Sequence, residues 1–391
     1  MDRVRNPFAP GAGSPPPMLA GRDAQLEDMS VAVQRMTLGR FERSILLTGL
    51  RGVGKTVLLN EFGMIAEREG WIHEHLEATD DTKIAKAMAT MARRCLLELS
   101  LRERIKDRAV AGLRVLKAFV KIHVPAGDGG ALTIDVEPFA GLADSGDLER
   151  DIGDIFREVG ETAREAQTGV LFTIDELQYL SSDELSVLIV GLHRVSQLGL
   201  PLLVAGAGLP SLPGLAGEAR SYAERLFSFI EIGSLKKDDA IAAVVEPVQA
   251  EGADWEPLAL EKILRDSEGY PYFLQEFGKQ AWNVAEGPVI TAAEFDRSTV
   301  LALDELDTGF FRARVDKTSD AERNYLRAMA QLDGPGPYAS GEVAASMGKT
   351  TGQVGPVRDS LIKRGLIFAP RHGQVAFTVP MFEQFILRRL T

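Results

Sequence analysis

The sequence has little cysteine and little histidine: one cysteine, Cys95, and five histidines among 391 residues. A single cysteine excludes an internal disulfide and a cysteine-based zinc cluster. His73 and His75 alternate on one predicted strand, but no third ligand stands at metal-binding spacing. We therefore assign both histidines structural roles and place Cys95 in the core, on the apolar face of a helix.

Long apolar runs are also absent. No run approaches the ~18 residues that a membrane-spanning helix needs, and the first residues lack the apolar core of a signal peptide. With 45% apolar and 26% charged residues, the composition is that of ordinary globular proteins. We expect a cytoplasmic protein of two or three domains that does not contact a membrane.

A positive charge excess is missing, since the formal net charge is −12. This excludes a chain that binds nucleic acid over its whole surface. From residue 319 to 391, however, nine Lys or Arg stand against six Asp or Glu, a net of +3 against −15 for the rest of the chain. Such asymmetry suggests two parts with different tasks, one of which involves a polyanion.

Apolar runs that alternate with amphipathic segments predict the fold of the first part of the chain. The runs of strand type lie at 44–48, 71–78, 169–174, 202–205 and 229–232. The segments between several of them have helical periodicity, so we predict an α/β fold with a mostly parallel sheet covered by helices on both faces. Residues 18–233 would form this core.

Four other segments complete the predicted organisation. Residues 1–17, rich in proline, read as a flexible leader, and residues 234–308 as an all-helical lid. Residues 101–150 do not fit the alternation, and we predict an insertion with a basic helix (102–121) and a hairpin of strands near 119–124 and 131–136. Residues 309–391 read as a linker, three helices and two strands, the order of a winged helix-turn-helix.

The run Gly49-Leu50-Arg51-Gly52-Val53-Gly54-Lys55-Thr56 fits the pattern G-x-x-x-x-G-K-[ST], after a strand and before a helix. The glycines allow backbone N–H groups to surround phosphate oxygens at a helix N-terminus. Lys55 would reach the β- and γ-phosphates of ATP, and the Thr56 hydroxyl would bind Mg²⁺. The alternative is an ordinary glycine-rich turn with a chance lysine, which the placement disfavours.

Two carboxylates follow the apolar strand that begins near Gly169. Asp175 at the strand end can hold the magnesium side of the site, and Glu176 can polarise the attacking water. Alone, such a pair usually marks a solvated strand end. With a P-loop upstream in the same sheet, we interpret it as the second half of an ATPase site.

These residues resemble a family. The P-loop and the run 174–178 are similar to the AAA+/STAND group of P-loop ATPases, in particular the archaeal-type ATPases related to the origin-recognition initiators. Two more segments carry the resemblance, which spans nearly the whole chain except 1–17 and 101–150. Gly21 and Arg22 stand in a "GRE"-like box, which in the family packs near adenine. Pro271 stands in a GxP-like motif, which faces the nucleotide in the lid of STAND proteins.

The chain departs from the family at two places. AAA+ members usually carry a polar sensor residue at the end of the fourth strand, where this sequence has only apolar residues and glycine at 204–208. No arginine stands near Pro271 either. We therefore expect intact ATP binding and slow hydrolysis. Arg220 and Arg225 precede the fifth strand, where the family places a trans-acting arginine finger; Arg225 is our candidate, which would imply a homo-oligomer, and an ordinary solvated or ion-paired arginine is the alternative.

The third helix of the tail is the element that enters the major groove in helix-turn-helix proteins. Polar and basic side chains on it and at the wing tip are therefore candidate contacts to double-stranded DNA: Lys349, Thr350, Thr351, Gln353, Arg358, Lys363, Arg364, Arg371 and His372. Two hypotheses follow. One is a nucleotide-controlled DNA-binding ATPase. The other is a STAND-type signalling switch whose winged helix packs against protein, and a chaperone-like remodeller stays open.

Overall fold

The computed structural model describes residues 1–11, 13–101, 105–124, 136–139, 141–334 and 336–390. Its largest sheet has five parallel strands in the order β2-β3-β4-β1-β5. Their bounds are β1 Ser44–Thr48, β2 Ile72–Glu77, β3 Val170–Asp175, β4 Leu202–Gly208 and β5 Phe227–Glu231. The predicted α/β fold with a parallel sheet is thereby confirmed.

The two faces of the sheet bury different cores, because successive side chains of a strand point to opposite faces. Every residue of β1, β3 and β4 is buried, as in parallel sheets covered on both sides. Ile45 and Leu47 face one core and Leu46 faces the other. The first core continues into the lid and the last part of the chain, so these regions pack as one body.

Eight helices cover the sheet in the part of the chain up to β5 that is described. They are α1 Asp23–Thr37, α2 Lys55–Arg68, α3 Ile84–Ser100, α4 Lys106–His123, α5 Leu148–Glu165, α6 Ser182–Gln197, α7 Leu212–Ala219 and α8 Ala223–Leu226. Helices α3 to α6 enclose the second core, and α1 and α2 belong to the first. None of the described helices is long and apolar enough to cross a membrane.

The lid consists of four helices with a two-stranded parallel sheet. Its elements are α9 Lys237–Ala250, β6 Asp254–Trp255, α10 Pro257–Ser267, α11 Pro271–Val284, β7 Val289–Ile290 and α12 Ala292–Glu305. The chain then forms a π-helix, Leu306–Phe311, and a short helix, α13 Arg312–Val315. Residues 309–314, which we predict to be a linker, are thus helical, since Phe311 is buried against aromatic rings of the last helix.

The final part, which we call the C-terminal module (residues 320–390), has four helices and a three-stranded antiparallel sheet in the order β8-β10-β9. Its elements are α14 Asp320–Ala330, β8 Tyr338–Ala339, α15 Ser340–Ser346, α16 Thr351–Lys363, β9 Ile367–Phe368, β10 Gln374–Phe377 and α17 Phe382–Arg389. The buried Asp307 of the π-helix accepts hydrogen bonds from Arg388 and Arg389. The module is therefore fixed to the lid by charge as well as by aromatic packing.

Two predicted segments differ from the structure. The segment 119–124, predicted as a strand, is mostly the end of α4, because Leu116 and Phe119 are buried at helical spacing. The second strand of that predicted hairpin, 131–136, lies almost wholly outside the described residues. The predicted flexible leader packs on the lid: Phe8 is only 4% exposed and contacts Gly278, and the Asn6 amide donates to the Lys279 carbonyl.

Candidate nucleotide site

The glycine-rich loop between β1 and α2 has the backbone that its sequence predicts. Gly52 and Gly54 have φ of +87° and +94°, values that favour glycine, and Gly54 is the N-cap of α2. At Gly49 an added Cβ would lie 2.1 Å from the Ile232 carbonyl oxygen, so only glycine fits there. The loop thus has the glycine conformations of a phosphate-binding loop and leads directly into a helix N-terminus.

Lys55, the first residue of α2, is buried with its ammonium turned toward the loop. Its Nζ donates to the carbonyls of Gly49 at 2.9 Å and Leu50 at 2.8 Å. Burial lowers the pKa of Lys55 to about 8, although the nearby Glu176 and Asp175 carboxylates act in the opposite direction. The ammonium has no carboxylate within ion-pair distance in the described structure, so its charge is available to an anionic ligand.

Asp175 and Glu176 reach the loop from the end of β3. The Thr56 hydroxyl donates to one carboxylate oxygen of Asp175, and the Glu176 amide donates to the other at 2.8 Å. Glu176 has φ of +55°, a left-handed conformation that non-glycine residues rarely adopt. The turn directs the Glu176 carboxylate to the guanidinium of Arg51, 3.7 Å away.

Gln178 brings a side-chain amide to the end of β4, where residues 204–208 include no polar sensor side chain. Its Oε1 accepts from the Leu209 amide, just past the end of β4, at 3.1 Å, and its Nε2 donates to a Glu176 carboxylate oxygen. An amide therefore does stand between β4 and Glu176, supplied by the segment after β3. The motif 174–178 contains this residue, but only the fold shows that it meets the end of β4.

One cavity of about 600 Å³ joins these groups. The residues that line it come from the leader, the P-loop, the ends of β2 and β3, the start of α11, and the π-helix with α13. Of the predicted site residues, it contains Arg51, Gly52, Gly54, Lys55, Thr56, Asp175, Glu176 and Pro271. Sequence positions that are far apart are thus brought to one place, as the motif analysis predicts.

The groups present fit a nucleoside triphosphate with a magnesium ion. The cavity holds the ammonium of Lys55 and two arginines, Arg51 and Arg314, whose Nε atoms are buried without a hydrogen-bond partner. Buried unpaired donors are costly, and phosphate oxygens would satisfy them. The Thr56 hydroxyl and Asp175 carboxylate offer the oxygen ligands that Mg²⁺ prefers, with phosphate oxygens completing its coordination.

Family comparison agrees with this geometry. Residues 18–205 match the family described as AAA ATPase domain. This part of the chain is similar to AAA ATPase domains. Residues 308–386 match a second family, described as Domain of unknown function (DUF8462). No curated protein has a sequence that matches this chain.

Solved structures similar to this chain align with nearly all of it. The Walker-type ATPase paby2304 of Pyrococcus abyssi is 14% identical with a TM-score of 0.53, over 94% of this chain and 96% of that one. The Aeropyrum pernix Orc1 protein, solved in complex with DNA, is 15% identical with a TM-score of 0.47, over 99% and 96%. The Thermotoga maritima RuvB Holliday junction branch migration motor is 14% identical with a TM-score of 0.46, over 91% and 92%. At 14% identity, the likeness to the Pyrococcus abyssi protein concerns the fold alone.

Gly21 and Arg22 do not line the main cavity. The Arg22 guanidinium donates to the carbonyls of Val53 at 3.2 Å and Gly233 at 2.8 Å. Burial lowers the pKa of Arg22. Arg22 and Pro271 both line a second, small cavity that adjoins the first. This is where the resemblance would place adenine.

The two arginines before β5 differ from each other. Arg220 donates to both carboxylate oxygens of Glu149 and, at 2.7 Å, to the Ser186 hydroxyl. It is an ion-paired arginine that joins α5, α6 and α7 within the chain. Arg225, in α8, is exposed and has no ion pair in the described part of the molecule. Arg225 lies outside the cavity.

Arg51 connects the P-loop to three other parts of the molecule. Its amide donates to the Thr378 carbonyl of the C-terminal module at 3.3 Å, and its carbonyl accepts from the Tyr270 hydroxyl of the lid. Its guanidinium donates to the Tyr179 hydroxyl at 2.8 Å and lies against Gly365. The C-terminal module thus contacts the phosphate-binding loop directly.

The candidate DNA contacts all lie on the C-terminal module, but several are occupied by intramolecular bonds. Gln353 accepts from the Thr350 amide at 2.9 Å in a capping box, Arg358 pairs with Asp359 at 2.9 Å, and Arg364 pairs with Glu322 at 3.0 Å. Three exposed cations have no ion pair among the described residues: Lys349, Lys363 and Arg371. Thr351 and His372 are exposed as well.

Sequence reasoning missed Arg314 as well as Gln178. Arg314 lies in the segment predicted as a linker, and its guanidinium carbon lies 3.8 Å from the ring centre of Phe310. The Tyr272 ring also stacks on the Phe310 ring, with ring centres 4.4 Å apart. No local pattern marks Arg314, because the π-helix before it decides which way it points.

Proposed function

We propose that the protein is an ATP-binding, slowly hydrolysing AAA+-like ATPase whose nucleotide state controls a C-terminal winged helix that binds DNA. The observation that carries this proposal is the contact of the C-terminal module with the P-loop through the Arg51 amide and the Thr378 carbonyl. A ligand that occupies the loop changes the surroundings of that contact.

In the proposed site, the P-loop residues 49–56 surround the phosphates and Lys55 neutralises their charge. Thr56 and Asp175 hold the magnesium ion, which when bound would offset the charge that develops on the phosphate oxygens. Glu176 orients the attacking water and accepts its proton. Gln178 fixes the Glu176 carboxylate, because it is itself held by the backbone after β4.

Hydrolysis is slow in this proposal for two reasons. The Glu176 carboxylate lies within ion-pair distance of the Arg51 guanidinium, and this contact has to loosen before the carboxylate can reach a water. The proposed trans-acting arginine, Arg225, is exposed on a surface away from the cavity and would act only on a neighbouring subunit. Turnover would then depend on assembly into a homo-oligomer.

The ATPase proposal is tested by steady-state turnover of wild type, Lys55→Ala and Glu176→Gln, each with and without duplex DNA. Glu176→Gln should lower turnover by about 10²- to 10⁴-fold while ATP still binds, since a general base contributes roughly that much. Lys55→Ala should weaken ATP binding by about 100-fold, because a charged donor to phosphate is lost. Turnover that both variants retain at the wild-type level would show that the activity comes from elsewhere.

For DNA, we interpret α14, α15 and α16 with the strands β8 to β10 as a winged helix-turn-helix, in which α16 is the recognition helix. Lys349 and Thr351 lie at the exposed N-terminal end of α16, and Arg371 lies at the tip between β9 and β10. Lys363 lies at the opposite end of the helix, near the P-loop contact. Phosphate contacts by these cations would give salt-sensitive affinity.

Duplex binding measured at two salt concentrations tests this part. Lys349→Ala with Lys363→Ala should flatten the dependence of log affinity on log salt by about one per lost phosphate contact. Lys317→Ala, an exposed lysine outside the module, is the matched control and should leave the slope unchanged. An unchanged slope in the double variant would remove DNA as the partner of this surface.

The second candidate function is a STAND-type switch whose winged helix packs against protein. The observation that favours it is the pairing of basic side chains within the chain: Arg358, Arg364, Arg388 and Arg389 all have acidic partners. Fast turnover by the isolated protein, abolished in Glu176→Gln, would eliminate this candidate. Absence of duplex binding at low salt, where phosphate contacts are strongest, would favour it over DNA binding.

A further inference from the structure

The segment between the lid and the C-terminal module supplies a side chain to the nucleotide cavity of the AAA domain. Arg314 lines this cavity together with Lys55, Arg51 and Glu176. It belongs to α13 and lies within the region 308–386, which matches a domain of unknown function. The cavity is therefore built from both matched regions, and the AAA match, which ends at 205, does not contain all of it.

Arg314 has no acidic partner in the described structure. One terminal nitrogen donates to the Phe310 carbonyl, the guanidinium stacks on the Phe310 ring, and Nε is buried without a partner. Burial, together with the positive charge of the nearby Arg51, lowers the pKa of Arg314 to about 10. A guanidinium with this pKa stays charged at neutral pH. The cavity therefore holds the unpaired charge of Arg314 together with Arg51, whose acidic neighbour is Glu176 at 3.7 Å.

The other arginines of α13 and α17 are paired with carboxylates. Arg312, on the same helix, lies 3.7 Å from Asp316, and Arg388 and Arg389 pair with Asp307. Arg314 alone among these points into the cavity. The π-helix at 306–311 places it there, and π-helical turns frequently occur at functional sites.

We propose that Arg314 binds the terminal phosphate of a nucleoside triphosphate, so that the segment 306–315 distinguishes ATP from ADP. This inference rests on the proposed nucleotide site. The P-loop holds the β-phosphate through Lys55, and the additional negative charge of a γ-phosphate would lie between Arg51 and Arg314 and satisfy both unpaired nitrogens. ADP lacks that charge and leaves Arg314 as it is.

The consequence is a direct connection from the γ-phosphate to the C-terminal module. The π-helix that precedes Arg314 also carries Asp307, which holds Arg388 and Arg389 of α17, and Phe311, which stacks on Phe382. Movement of Arg314 toward a phosphate is therefore coupled to the last helix of the chain.

The experiment compares the affinities of wild type, Arg314→Gln and Arg312→Gln for ATP·Mg²⁺ and ADP·Mg²⁺ by calorimetric titration. Arg314→Gln should weaken ATP by about 10- to 100-fold, the value of a charge-assisted hydrogen bond to phosphate, and leave ADP within about twofold. Preserved ADP binding shows that the variant is folded. Arg312→Gln, two residues away and exposed, should behave as wild type.

Each outcome decides one claim. Equal loss of ATP and ADP in Arg314→Gln, a wild-type ATP:ADP ratio in Arg314→Gln, or the same loss in Arg312→Gln overturns the role of Arg314. Wild type that binds neither nucleotide overturns the proposed function itself, so the two failures are distinguishable.

Discussion

The nucleotide cavity and the C-terminal module use positive charge in opposite ways. In the cavity, Lys55 donates to backbone carbonyls and Arg314 to the Phe310 carbonyl, and neither has an acidic partner among the described residues. In the module, Arg364, Arg388 and Arg389 are paired with carboxylates. Charge that is left unpaired at a cost in stability is available to a ligand, whereas paired charge stabilises the fold.

This difference also explains why the net charge of a segment is a poor guide to function. The tail has a net charge of +3, but most of its arginines have partners within the chain. The acidic remainder of the chain contains Lys55 and Arg314, which line the cavity and have no ion pair among the described residues. Position, and not abundance, decides which charges can act on a ligand.

The largest effect on the contrast between unpaired and paired charge is expected from a substitution of Lys55. Lys55→Ala should weaken ATP·Mg²⁺ binding by about 100-fold, because a charged hydrogen-bond donor to phosphate is lost. The thermal midpoint should stay the same or rise, since a buried charge without an acidic partner is removed. Titration and thermal unfolding of the same sample measure both. A large loss of stability would show that Lys55 supports the fold instead of a ligand.

The opposite pattern is expected at Asp307. Asp307→Asn should lower the free energy of unfolding by about 1–3 kcal/mol, because two arginines lose their charged acceptor, and nucleotide affinity should change little. The matched control is Asp304→Asn, whose residue is 64% exposed and pairs only with Arg389. Asp304→Asn should lower the free energy of unfolding by less than about 1 kcal/mol, because exposed ion pairs contribute little. Denaturant unfolding measures both variants. Equal losses of stability in Asp307→Asn and Asp304→Asn would contradict a special stabilising role for the buried Asp307.

A smaller effect is expected at Gln178, which acts through Glu176. Gln178→Ala should reduce the turnover number by about tenfold and leave the KM for ATP unchanged, because the carboxylate loses its orientation and the phosphate contacts stay. Gln197→Ala, an exposed glutamine at the end of α6, serves as control. A raised KM with an unchanged turnover number would assign Gln178 to binding.

The smallest effect is the dependence of binding on pH. Lys55 has a pKa of about 8 in the free protein, so it is cationic at pH 7 and largely neutral at pH 9. ATP affinity should therefore fall by about fourfold between pH 7 and 8.5, as the fraction of protonated lysine decreases. Lys55→Arg should remove this dependence, since arginine stays protonated. A dependence that persists in Lys55→Arg would point to another group.

The parts of the site that are contiguous in sequence could be predicted, because their chemistry depends on local backbone. Residues 49–56 fix a loop and a helix start, and a buried strand places Asp175 at its end. Arg314 could not be predicted, since its direction depends on a π-helix. The bidentate pairing of Arg220 with Glu149 depends on packing between α5 and α7, which no spacing indicates.

In the fold, too, features that depend on local sequence could be predicted, whereas those that depend on tertiary packing could not. Strand and helix positions in the sheet and the lid follow from periodicity, and the α/β prediction is confirmed. The segment 119–124 was wrong as a strand because its aromatic and β-branched residues favour a strand locally, whereas packing of Leu116 and Phe119 into the core of α3 to α6 favours helix α4. Tertiary burial outweighed local preference there.

The central claim is that a triphosphate and its metal occupy the cavity between the P-loop, β3 and the segment 306–315. The most direct test is calorimetric titration of the full chain with ATP·Mg²⁺ at pH 7. The prediction is saturable binding of one nucleotide per chain, with ADP bound more weakly than ATP. Folded protein that takes up no ATP·Mg²⁺ at millimolar concentration would contradict it.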